Sequence, residues 1–529
     1  MNARLLSAST KLWTVTFMLA WTCAGSAQAP DALFSATATV DFSGDIGQSF
    51  GTLFEVHDAN GRLIIGAGFP DIYNTCVRTD RYGLQFYVRP KQPIEPRWEL
   101  VPRSTDIAHT SVQDMDGHLY AYTYAHDKQL RRWDDLSGAW VDDDLLDPER
   151  NAFGDGFMRV AGKLLVFEDG QAWYDGALIL VRPQTGAYSN FYYAHGHLFF
   201  YHRGGTGDSA FTDICACPWR PGQPKADVSA MRSVAPSMKS ETTFVWGQLN
   251  DQVLTVSNWG TVAVFSDGNW RILREHVPGT SYQVYSMVNY RGDLYLGHYP
   301  TGRLLKYDGQ EITELPDFPP VMPGVSGSAR EAQTTMIYGG ELYAGVWPWA
   351  ELWRLDRDSG EWSLVRRMFT RPDITDKVAH PWEQEIRAHN EATGTKTVIN
   401  EWGQRICSMT AWRDSLMVAT SAKGPSRRDP DLAFLTDDAY AEYGRVWRCT
   451  LPGHLSARVS WKPRPTVLQC VLLRDRLRVL QDGEIIAEAL IDPALLEQLR
   501  PASITWGTGL YGDFGADLAE AAVNPPLHP

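Results

Sequence analysis

Short apolar-rich runs, each broken by a turn at Gly, Asp or Asn, recur along the chain, and amphipathic helical patterns are scarce. That pattern predicts β-strands almost throughout. The recurring unit is a strand, a tight turn, a second strand, and a third that closes on an aromatic residue. Its clearest copies are "DMDGHLYAYTY" at 114–124, "VNYRGDLYLGHYPTGRLLKYDG" at 288–309 and "MIYGGELYAGVWPWAELWRLD" at 336–356. Weaker copies lie at 58–68, 159–170, 192–203, 247–268 and 410–420.

The turns fall at Gly61, Gly117, Gly162, Gly196, Asp251, Gly292, Gly340 and Asp414. Their spacing centres on roughly fifty residues, the length of one four-stranded propeller blade. One such sheet cannot bury both of its faces, whereas blades stacked radially cover one another and leave only short edges. The expected fold is therefore an all-β propeller of four-stranded antiparallel blades. Eight turns would allow eight blades. Seven are expected, because Gly162 and Gly196 stand close together for a full blade.

The polar segment 370–405 reads as a long insertion between blades. After about residue 455 the stretch "VLLRDRLRVLQDGEIIAEALI" reads as a strand pair and "DPALLEQLR" as a short helix. The expected division is residues 1–29 as a leader, 30–455 as the propeller, and 456–529 as a tail that closes or caps it. The leader has Arg4 and Lys11 ahead of the apolar run "LWTVTFMLAW", and small residues, "SAQA", before Pro30. This layout matches a secretory signal peptide, and the apolar run is too short for a comfortable membrane span. A secreted or periplasmic monomer with no membrane partner is expected.

Composition narrows the chemistry. A formal net charge of -14 argues against a nucleic-acid partner but leaves room for a local basic cleft. The 20 Trp, 22 Tyr and 20 Phe suit sugar stacking as well as blade cores. Six cysteines follow the leader: Cys76, Cys215, Cys217, Cys407, Cys449 and Cys470. They read as buried thiols or disulfides; "CAC" at 215–217 could offer two zinc ligands but lacks a second pair nearby. The acidic run "VDDDLLD" at 141–147 lacks the alternating spacing of a calcium loop. No cofactor is required, with structural calcium or zinc left open.

Two hairpins carry side chains unusual for packed blades. In the first, His109 opens one strand and His126 ends the next, across the turn at Asp116–Gly117. In the second, Tyr188 begins a strand and Arg203 ends its partner, across His195–Gly196. Antiparallel geometry brings the outer ends of each hairpin together. His118, His195 and His197 lie at or beside the turns and read as structural. The hairpins are expected in neighbouring blades, each delivering a titratable pair to its open end.

The stretch "YSNF…GHLFFYHRGGTG" resembles a motif of the propeller-fold polysaccharide lyases, the ulvan lyases and related rhamnose–glucuronate lyases. Tyr188, Phe191, Gly196, Leu198, Phe200, Arg203, Gly205 and Gly207 fall on or near its pattern. "HTSVQDMDGHLYAYTYAH" matches the family's second signature through His109, Asp114, Asp116, Gly117 and His126. Ser189 and Thr206 depart from the family's Pro and Ser, and the segment from His109 to Gly117 is shorter than the family's.

The resemblance implies β-elimination on a uronic-acid polysaccharide, leaving a 4,5-unsaturated uronate. Arg203 would neutralise the uronate carboxylate, Tyr188 would act as acid or base, and His126 and His109 would be partner base or carboxylate binders. Tyr124, Tyr201 and His202 would contact substrate. An arginine near Tyr188 would lower its pKa. Two alternatives stand beside this. One is a glycoside hydrolase on the same fold, with Asp106, Asp114, Asp127 or Asp208 as carboxylates that mostly read as turn residues. The other is a non-catalytic carbohydrate-binding propeller.

Overall fold

The computed structural model describes residues 32–74, 79–89, 91, 94–123, 130–143, 156–424, 426–497 and 499–525. The leader, Cys76, Tyr124, His126 and Asp127 lie outside them.

Seven antiparallel sheets follow one another along the chain, at 111–142, 157–180, 187–234, 243–274, 283–314, 331–367 and 405–450, and are blades 1 to 7 in that order. Each of the first six is built from four consecutive strands. Blade 7 takes its outermost strand, Arg97–Val101, from the chain ahead of blade 1, with Val446 opposite Val101 and Trp447 opposite Leu100. The inner strand of blade 7, Arg405–Trp412, packs against that of blade 1, Ser111–Met115, so the ring closes. The protein is a seven-bladed β-propeller.

All seven inner hairpins turn toward the same face. Five of those turns carry left-handed backbone at both corner residues, as at Asp116–Gly117 (φ 54° and 79°) and Arg291–Gly292 (57° and 83°). This geometry matches the right-handed twist of the flanking strands and favours Gly at the second corner.

The turn face is covered by a two-sheet cap. One five-stranded sheet places Phe34–Asp41 between the C-terminal strands Thr466–Leu472 and Asp517–Asn524. The other joins Gly51–His57, Leu63–Phe69 and Gly83–Val88 to His454–Arg458 and Ser503–Trp506. Their inner faces share one apolar core, in which Phe34, Val40 and Leu468 meet Phe54, Ile65 and Phe86. Backbone bonds tie the cap to the blade turns, among them Gly196 N–H to Ile46 O (2.8 Å) and Arg291 N–H to Leu510 O (2.8 Å). Ser456 N–H likewise reaches Arg413 O (2.6 Å).

Seven blades were expected for a different reason. The turn to set aside is Gly61, which joins two cap strands; the sheet between Gly162 and Gly196 is short but complete. The strands between residues 34 and 69 and at 83–88, in a stretch expected in the propeller, belong to the cap. The tail does cap one face, but as strands shared with the N-terminal segment. The 370–405 insertion lies between blades 6 and 7 and contains a helix, Glu383–Thr393. No helix among the described residues is long and apolar enough to cross a membrane.

Candidate functional site: a carboxyl-lined cleft in the channel

Between its cap strands the chain dips into the central channel. The short strand Ile72–Asn74 adds to the inner edge of blade 5, with Asn74 opposite Ser286 and Tyr73 opposite Met287. The Asn74 side chain extends the pairing to blade 6: its amide donates to Thr335 O (3.0 Å) and its oxygen accepts from Thr335 N–H (3.0 Å). This strand fills the half of the channel beside blades 4 to 6. The other half holds a cleft open to solvent. Asp71, Tyr73, Thr79, Asp80 and Arg81 line it from the cap connection, Gln113–Met115 from blade 1, Phe157–Arg159 from blade 2 and Tyr192 from blade 3.

The cations at this cleft are already partnered. Arg81 is buried and pairs with fully buried Asp45 (Nη2–Oδ1 2.8 Å). Asp45 also accepts from the Tyr82 hydroxyl and from Ala161 N–H (2.7 Å), linking cap to blade 2. Burial opposes ionisation of Asp45, but Arg81 and these donors outweigh it and hold its pKa below the usual carboxylate value. Arg159 pairs with Asp116 (Nε–Oδ1 2.6 Å), and Arg458 with Asp80 (2.5 Å) and Asp116 (3.3 Å).

Two cleft carboxyls differ. Asp71 is 3% exposed, and its Oδ2 has no hydrogen-bond partner among the described residues. Burial raises its pKa to about 6, against the pull of Ser49, Arg81 and Tyr73. Asp114 is half-buried, and its carboxylate accepts from Gly117 N–H (3.0 Å), so it does shape the turn as expected. It also lines the cleft. Burial, reinforced by the negative charge of Asp80, raises its pKa to about 8, with Arg458 pulling the other way. At neutral pH Asp114 thus lies on the protonated side of its pKa and Asp71 on the ionised side. Such displaced proton affinities in an open cleft mark a site able to donate and accept protons.

The residues singled out by sequence are not brought together there. Tyr188 and Arg203 stand at the open end of blade 3, as expected of that hairpin. In a straight hairpin continuing from Tyr192–Phe199, Tyr188 would face Arg203. A β-bulge between Ser189 and Tyr192 slips the register by one, so Tyr188 pairs with His202, and Arg203 with Ala187. Neighbouring positions point to opposite faces of the sheet, so Tyr188 and Arg203 project away from each other. Tyr188 packs toward blade 2 on Phe200 (4.4 Å between ring centroids) and edge-on to His202 (5.0 Å). Its pKa is raised, not lowered: burial dominates, helped by Cys215 and Cys217. Tyr201 is buried in the core shared with blade 4, and the His202 ring bonds to Thr185 O (2.8 Å). Arg203 donates to Ser189 Oγ (3.2 Å) and forms no ion pair among the described residues.

His109 precedes its strand as an isolated bridge to Ser421 of blade 7. It is buried, and burial with the nearby positive charge of Arg405 lowers its pKa to about 3. Arg405 in turn lies 3.7 Å from Glu331 of blade 6. The two hairpins are not in neighbouring blades, because blade 2 stands between them. His126 and Tyr124 lie outside the described residues.

Sequence reasoning passed over Asp71 and Asp80, and read Asp114 chiefly as a turn residue. The only local signal was "DMDG" itself. Cys215, Cys217, Cys407, Cys449 and Cys470 are buried free thiols. No group of three or more metal-ligating side chains gathers among the described residues.

No family model matches the chain, and no curated protein matches it. Among solved structures it is similar to the computationally designed Ika8 protein, at 12% identity over 60% of this chain and 94% of that one, with a TM-score of 0.32. It is also similar to BamB from Moraxella catarrhalis (12%, 64% and 87%, TM-score 0.27). A third is YCF48 bound to D1 peptide (14%, 50% and 96%, TM-score 0.24). The propeller assignment rests on the sheet order itself.

Proposed function

We propose that this protein cleaves a glycosidic bond by acid–base chemistry in the channel cleft, and that hydrolysis is its reaction. One observation carries this: Asp71 and Asp114 line the same open cleft with pKa values raised to about 6 and about 8. Glycoside hydrolysis needs a protonated carboxyl to meet the leaving oxygen and an ionised one to activate water or attack the sugar. Asp114 holds its proton at neutral pH and serves as the acid. Asp71 is ionised there and serves as the base, and burial reinforced by Asp80 keeps Asp114 protonated. The part-exposed Phe157 offers aromatic surface to a sugar ring.

A second reading, β-elimination on a uronic-acid polysaccharide, follows from the resemblance to the propeller lyases. It is favoured by Arg203, whose guanidinium forms no ion pair among the described residues and stands ready for a carboxylate. It needs another partner for Arg203 than Tyr188, which points to the opposite face.

One assay separates the two. The protein is incubated with ulvan, glucuronan, pectin and neutral polysaccharides while reducing ends and ultraviolet absorbance are followed together. Reducing ends without absorbance, lost in Asp114→Asn, support hydrolysis. Absorbance from unsaturated uronates, lost in Arg203→Gln, supports elimination. Binding without any product moves the protein to the carbohydrate-binding class.

A further inference from the structure

The cleft's ion pairs bear on which sugars can enter. Arg81 spends its donors on Asp45 (2.8 Å) and on the main-chain oxygens of Gln48 (2.6 Å) and Arg159 (3.3 Å). Arg159 and Arg458 are held by Asp116 and Asp80. An anionic substrate that took Arg81 would leave Asp45 uncompensated in a buried setting, which is strongly unfavourable. Asp71 and Asp114, by contrast, form no ion pair among the described residues, and Asp71 Oδ2 accepts no hydrogen bond there. A sugar hydroxyl brings no charge beside Asp71, whereas a uronate or sulfate adds a second negative charge beside the first.

Resting on the hydrolase reading above, we propose that the cleft accepts a glycosyl unit without negative charge and rejects uronate and sulfated units. Arg81, locked to Asp45, and Asp71, which forms no ion pair among the described residues, set that preference. The substrate is then a neutral glycan, unlike the anionic polysaccharide implied by the lyase resemblance.

The test is calorimetric binding of neutral oligosaccharides and of their C6-oxidised, uronate counterparts to turnover-deficient Asp114→Asn. The same ranking is read as inhibition of the wild-type chain, so that a poorly folded variant does not decide the result. The expected outcome is that the neutral member binds at least about tenfold more tightly. Asp71→Asn, which removes the charge and keeps the shape, should shrink that ratio several-fold, and Arg203→Gln should leave it unchanged. Equal or tighter binding of the oxidised member overturns the charge preference while leaving the cleft as a sugar site. Failure of both members to bind overturns the preference and the hydrolase reading together.

Discussion

The open rim of blade 3 and the channel cleft use similar residues in opposite ways. At the rim, Tyr188, His202 and Arg203 share one hairpin, and a single extra residue at the bulge sends Tyr188 and Arg203 to opposite faces. In the cleft, Asp71 and Asp80 come from the cap connection and Asp114 from a blade, yet all three line one space. The rim spreads groups that are close in sequence. The cleft gathers groups that are distant, and burial there raises the proton affinity of Asp71 and Asp114. Nearness along a strand is thus a poor guide to shared chemistry, because the period of two decides the face.

The sharpest way to break this comparison is a pair of substitutions. Asp114→Asn should lower kcat/KM for reducing-end release by about 10²–10⁴-fold, the range for loss of a general acid. Tyr188→Phe should change it by less than about twofold; a matching loss would move the chemistry to the rim.

Next in size is a stability contrast. Arg81→Met leaves Asp45 buried without its cation and should cost about 3–5 kcal/mol in denaturant unfolding. Arg203→Met at the rim should stay within about 0.5 kcal/mol.

The pH dependence sharpens the comparison further. Activity should rise as Asp71 loses its proton near pH 6 and fall as Asp114 loses its proton near pH 8. The lower limb should vanish in Asp71→Asn, whereas Arg203→Gln should keep both limbs. A single limb shared by both variants would disprove the assignment.

The smallest effect concerns stability against pH. Both carboxyls bind protons more tightly folded than unfolded, so their contribution is fully present below about pH 4 and is lost as pH rises through about 6 and then about 8. Asp114→Asn should therefore melt higher than wild type above about pH 8 and show no such gain in acid.

Much of the propeller was legible because its signal is local. Seven of the eight turns read from sequence are the seven inner hairpin turns, each a two-residue corner between apolar strands. Gly61 misled because a cap hairpin uses the same turn chemistry as a blade. The cap itself was hidden: nothing near Phe34–Asp41 announces partners at Thr466–Leu472 and Asp517–Asn524. The bulges were hidden too. Inner hairpins slip register around residues 190, 244, 285, 333 and 407, and one extra residue does not disturb an apolar run. The cleft was the least legible, since an aspartate that closes a turn and one that holds a proton look the same in sequence.

The shared cap has a consequence for the order of assembly. Strand Phe34–Asp41 sits between Thr466–Leu472 and Asp517–Asn524, which are made long after it, so its sheet cannot close until both have emerged. Blades 1 to 6 are each built from consecutive strands and can form as they emerge, whereas the cap needs contacts spanning almost the full length. Asp71 and Asp80 hang from that cap. A growing chain therefore acquires its wheel before the cap that carries one side of its cleft.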